Sequence, residues 1–103
     1  MNRMTYDEFR EEAYSMGFHT RGNCDYISIH LNGEICGYVS REVQGLMSTD
    51  FRAFRELPVE QRFQVFEICF RLTITPLEDR EIKPSSLEQI WSGNNLAKKG
   101  KRK

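Results

Sequence analysis

Spacing suited to a metal ion is missing from this chain. Its three cysteines, Cys24, Cys36 and Cys69, include no CxxC pair, and an odd number argues against a disulfide framework as well as a structural zinc site. The two histidines, His19 and His30, stand in no ligand motif. The seven glycines are scattered, so no glycine-rich loop exists to cradle a phosphate. No apolar run approaches the ~20 residues that cross a bilayer. Lysine is nearly absent from the body, where Lys83 is the one exception among ten basic residues up to Ala97. Arginine there suits planar, bidentate pairing with carboxylates. The opening residues lead one to expect no leader of the secretory type, and the expected compartment is cytoplasmic.

What is present is aromatic and charged. Seven Phe, four Tyr and one Trp in 103 residues supply large rings for one small core. The formal net charge is zero but uneven: residues 1–97 carry −5 and the last six carry +5. An acidic body with a cationic end differs electrostatically from a neutral protein.

The order of elements predicts a single α+β domain over 4–91, followed by a flexible basic tail over 92–103. Thr5 and Glu8 form a capping box, Tyr6, Phe9, Ala13 and Met16 share a face, and Gly17 suits the αL end, which predicts a helix over 5–16. Alternation in 26–31 and 34–39 about Asn32-Gly33 predicts a hairpin with a type I′ turn. Simple register puts Ile29 opposite Cys36 and Ile27 opposite Tyr38. The predicted core face is then Ile27, Ile29, Leu31, Cys36 and Tyr38, with Ile35 and Val39 on the other side. A hairpin alone is marginal, so Val43–Met47 is the candidate third strand.

A short helix over 50–56, capped from Ser48, Thr49 or Asp50, leads to the Leu57-Pro58 break. The helix from Pro58 to about Thr73 carries two apolar stripes. Val59, Phe63, Phe66 and Phe70 form one, and Val65, Ile68, Cys69 and Leu72 form the other. Together they predict a central helix buried on more than one side, against the sheet and the first helix. Thr75-Pro76-Leu77-Glu78 reads as a further cap, with Glu78 reaching back, and Ser86–Trp91 as another, so that two to four helices follow the sheet.

Catalytic chemistry finds little support. Cys24 and His19 are near in sequence, but nucleophilic catalysis needs a thiolate in a positive setting with a base in reach. The carboxylates cluster where helix ends and solvated faces account for them. No cofactor is implied, and the expectation is a non-enzymatic protein. The candidate protein-binding residues are Asp7, Glu8, Glu11 and Glu12 on the acidic first helix, with the surface aromatics Tyr14, Tyr26 and Trp91. Trp91 reads first as a staple of the C-terminal segment onto its own domain and second as an anchor on a partner. The alternative is nucleic-acid binding through Lys98, Lys99, Lys101, Arg102 and Lys103, although the acidic body counts against it. A homodimer through the hairpin edge or the aromatic surface is also compatible with the sequence.

Five segments stand in order along the chain: Thr5-Tyr6-Asp7-Glu8-Phe9, Asn32-Gly33-Glu34, Ser48-Thr49-Asp50-Phe51, Leu57-Pro58 and Thr75-Pro76-Leu77-Glu78-Asp79-Arg80-Glu81. Over roughly residues 4–82 this order resembles the small uncharacterised proteins encoded by phages and prophages of Gram-positive bacteria. Members often continue with a charged, aromatic C-terminus, where this chain has Ile82-Lys83-Pro84-Ser85-Ser86 and a Lys-rich end. The resemblance implies no catalytic residue. It implies a protein that binds a host or phage protein, as anti-CRISPR-type inhibitors do.

Overall fold

Thr5 and Glu8 set the first element as the sequence requires. The Thr5 hydroxyl accepts from the Glu8 N–H, and the Glu8 carboxylate accepts from the Thr5 N–H at 2.8 Å. In the computed structural model, which describes residues 3–81, this box opens helix α1 (Tyr6–Ser15). Gly17, at φ 90°, closes it, with the Gly17 and Phe18 N–H groups donating to the Tyr14 and Ala13 carbonyls. The chain then enters four strands, β1 (His19–Gly22), β2 (Tyr26–Leu31), β3 (Glu34–Ser40) and β4 (Met47–Ser48). They pair antiparallel in the order β1-β2-β3-β4. Helices α2 (Arg52–Arg55) and α3 (Val59–Ile74) follow, and a 3-10 turn covers Leu77–Asp79.

The α+β class is as the sequence predicts, but the sheet corrects three details. First, β1 is a strand that sequence pattern does not reveal. Second, the residues proposed as a third strand mostly form a turn: Gly45 has φ 91°, and only Met47 and Ser48 pair with β3. Third, the hairpin register shifts. Asn32 and Gly33 take positive φ as the Asn-Gly turn demands, and Leu31 lies opposite Glu34. Beyond His30–Ile35 the next pair is Ile29–Gly37, which leaves Cys36 as an extra residue, a β-bulge. One inserted residue reverses the alternation of everything beyond it. Val39 therefore points into the core, fully buried, and Tyr38 points outward, the reverse of the prediction. Leu31 is only half-buried.

The core lies between one face of the sheet and the helices. Ile27, Ile29, Cys36 and Val39 meet Phe9 and Ala13 of α1, and Val65, Ile68, Cys69 and Leu72 of α3. α3 packs on β3 and on α1, while α1 also lies beside β1. Two expected caps are used otherwise. Phe51 precedes α2 without a side-chain cap, and the Ser48 hydroxyl accepts from the Asp50 N–H instead. Thr75 does not cap the last turn: its hydroxyl donates to the Arg71 carbonyl and accepts from the Met4 N–H, tying the start of the chain to the end of α3. The predicted Ser86–Trp91 helix, the rest of the expected 4–91 domain and the 92–103 tail lie outside the described residues.

Candidate functional site

Three arginines and a tyrosine ring make the most polar feature around the start of α1. Arg80 is fully buried. Its Nε donates to the Thr75 carbonyl, Nη1 to Ser40 at 2.7 Å and Nη2 to Thr73 at 3.3 Å. Its own carbonyl accepts from the Tyr6 N–H at 2.7 Å. Arg41 lies over the Tyr6 ring, 4.6 Å from its centroid, and donates to the Asn23 carbonyl. Around them Tyr6, Asp7, Arg10, Arg41, Arg80 and Glu81 line a niche of about 90 Å³. Arg10 pairs there with Asp7, and Arg41 lies 4.0 Å from Glu81. With carbonyls and carboxylates already holding these cations, the niche is a structural clasp. Outside the niche, Arg71 joins α3 to Glu12 of α1 at 3.1 Å.

The predicted site residues fall on separate surfaces. Asp7, Glu11 and Tyr14 follow at intervals of four and three, so they share the outer face of α1, and all three are exposed. Glu8 is taken up by the capping box and Glu12 by Arg71. Tyr14 meets the His19 ring edge-on at 5.9 Å. Tyr26 lies elsewhere, on the open face of the sheet, where it packs against Tyr38 at 4.8 Å, and Tyr38 in turn against Phe51 at 6.0 Å. That face presents His19, Arg21, Ser28 and His30 beside the aromatics. The His30 Nε2 lies 2.8 Å from the Ser28 hydroxyl, and burial, with Arg21 nearby, pushes its pKa below the usual 6.5. Trp91 and the basic residues Lys98, Lys99, Lys101, Arg102 and Lys103 lie outside the described residues.

Nucleophilic and metal chemistry gain nothing from the geometry. Cys24 is exposed in the turn after β1, and His19 stands at the opposite end of that strand. Among the described residues no three His, Cys, Asp or Glu side chains gather as a metal site would require. Cys36 and Cys69 are buried. Burial, and then the neighbouring Cys36, push the Cys69 thiol up to about 12, and burial also raises Cys36. Alkylation of the native protein near pH 8 should therefore modify Cys24 alone, and all three thiols should react after denaturation, as counted by intact mass. The Cys69 proton also couples to stability. The unfolded thiol ionises near 9.0 and the folded one at about 12, so this contribution is complete below pH 9.0 and is lost as the pH rises towards 12.

The feature that sequence reasoning misjudged is the first stripe of α3. Val65, Ile68, Cys69 and Leu72 are buried as predicted, but the other stripe is not: Val59 is 52% exposed, Phe63 70%, Phe66 46% and Phe70 47%. The Phe66 and Phe70 rings stack on one another at 6.1 Å, 13° from parallel. The 41–46 turn meets the end of this helix, with Gly45 N–H donating to the Thr73 carbonyl and the Gln44 amide to that of Ile74. It brings exposed Val43 and Leu46 to the same end.

No family model, curated protein or solved structure matches the chain. Among the described residues no helix is long and apolar enough to cross a membrane.

Proposed function

We propose that this chain is a non-enzymatic protein-binding module, and that it acts as a phage-encoded, anti-CRISPR-type inhibitor of a host protein complex. The observation that carries the binding reading is the aromatic stripe on α3. Isolated apolar residues on a surface are ordinary, but three phenylalanines and a valine in one row make a contiguous patch of the kind that marks protein contact. Aromatic anchors also contribute most of the energy at interfaces. The acidic body, with 14 acidic and nine basic residues over 3–81, supports the choice of target, because it complements a basic nucleic-acid channel and would speed docking there. The exposed Asp7, Glu11 and Tyr14 of α1 are suited to that contact.

A second reading, nucleic-acid binding, draws on the open sheet face, where Tyr26 and Tyr38 stand with Arg21 and two histidines, and on the five cations of the last six residues. The two are separated by capture from nuclease-treated bacterial lysate, comparing the native chain with a Phe63→Ser/Phe66→Ser variant. The expected result is a stoichiometric protein retained by the native chain and lost with the variant. Retention of nucleic acid alone in a parallel capture without nuclease, abolished when the terminal lysines are neutralised and indifferent to the phenylalanines, would overturn the first reading in favour of the second.

A further inference from the structure

A helix on the surface of one domain has one side to bury, and α3 has used it. At 100° per residue Val59, Phe63, Phe66 and Phe70 fall within an arc of about 60°, centred about 140° round the helix from the buried stripe. Arg71, on the opposite flank, holds α1 through Glu12, so the row faces away from α1 as well as from the core. Its intervals of four, three and four are those of a two-helix seam, in which alternate positions interlock with the same positions of a neighbouring helix.

We infer that the occupant of this row is α3 of a second copy of the chain, packed parallel about a two-fold axis. The inference rests on the reading of the stripe as a protein-docking surface and names its partner. Charge selects the arrangement. In a parallel seam the residue before Phe63, which is Arg62, lies opposite the residue after Phe66, which is Glu67, of the other copy. Symmetry makes that attractive pair twice. In an antiparallel seam Glu60 would face Glu67 of the other copy, a like-charge pair. A closed two-fold also leaves no second copy of the patch exposed.

The area fits a reversible association. The row exposes on the order of 400 Å² per copy, about half of the ~800 Å² per partner of a stable interface. The stems of Arg62 and Glu67 beside it widen the contact. The stacked Phe66 and Phe70 rings are already ordered, which lowers the entropic cost of docking. The dimer leaves the outer face of α1, with Asp7, Glu11 and Tyr14, presented twice.

Sedimentation equilibrium of the full chain tests this. The expected result is a monomer–dimer equilibrium in the micromolar range. Phe63→Ser should weaken it at least about thirtyfold, the effect of losing one hot-spot side chain, with an unchanged thermal transition at concentrations where both chains are monomeric, because the residue is exposed. Glu67→Arg should weaken it about tenfold, and Arg62→Glu with Glu67→Arg should restore it to within about threefold, since the pair is then reversed on both copies. A chain that stays monomeric into the high-micromolar range overturns the inference, and so does a dimer indifferent to Phe63. A dimer that Glu67→Arg does not weaken overturns the parallel arrangement. If the monomeric chain instead shows a shift in emission of its one tryptophan, Trp91, on Phe63→Ser, the row belongs to the chain's own C-terminal segment and the second copy is excluded. A monomer whose capture of a foreign protein still depends on Phe63 sinks this inference and leaves the docking reading standing.

Discussion

Arg80→Ala is expected to lower the free energy of unfolding by about 3–5 kcal/mol, as much as truncating a large core side chain. Three buried carbonyls, those of Ser40, Thr73 and Thr75, take their donors from one guanidinium. Truncation leaves the Ser40 and Thr75 carbonyls facing a cavity without this donor, while Thr73 keeps the Gly45 N–H. Arg80→Lys should recover a minor part, because an ammonium reaches fewer of the acceptors and lacks the planar fork. Arg80→Met fills most of the space without supplying a donor, so its distance from Arg80→Ala measures the packing share. Urea denaturation with an unchanged slope is the measurement. A midpoint close to that of the native chain would mean that water or another donor satisfies these carbonyls and that the clasp is dispensable.

Gly37→Val should come next, with a loss of about 3 kcal/mol or more, and Gly37→Ala a smaller one of about 1–3 kcal/mol. The reason is steric and not conformational. A Cβ on Gly37 would sit 3.2 Å from the Ser48 carbonyl oxygen and 3.2 Å from the Thr49 methyl, with the Cys69 sulfur at 3.5 Å. The carbonyl belongs to the backbone of β4 and cannot rotate away. The methyl can be removed, so Thr49→Ser in the Gly37→Ala background should recover part of the loss. Equal stability of the single and double variants would point to the carbonyl as the whole obstacle.

The parts of this fold that sequence revealed are those whose cause is local. The ends of α1 are written in Thr5, Glu8 and Gly17, and the hairpin turn in Asn32-Gly33, because a cap or a turn is satisfied by neighbours in the chain. The bulge at Cys36 is not local in that sense. Alternation counts residues, and an extra one is visible only once the partner strand is laid beside it. Gly37 was the available hint, since glycine within a strand often marks a bulge or a close approach. β1 reads His-Thr-Arg-Gly and owes its extended form to pairing with β2. Arg80 stands in a charged stretch that gives no sign of burial, because its partners are carbonyls drawn from Ser40, Thr73 and Thr75. The α3 stripes show the same boundary on the functional side. Hydrophobic spacing marked two apolar rows as buried, and could not tell that only one of them is buried in the described structure. The acidic and aromatic residues singled out on α1 and at Tyr26 are on the surface, but exposure alone did not join them into one patch.

The clasp has a consequence for the order in which the molecule is made. Tyr6 holds the Arg80 carbonyl, and Met4 holds the Thr75 hydroxyl, so the first turn of α1 closes on the last part of the body. At ordinary rates of synthesis roughly 4–15 s separate the two ends. Throughout that interval the nascent helix has its capping box but not its anchor, and the Phe9 side of α1 waits for a partner surface. The segment translated earlier is thus among the last to be locked, and a ribosome stalled before Arg80 would hold a chain with β1 to β4 present and no clasp to close them.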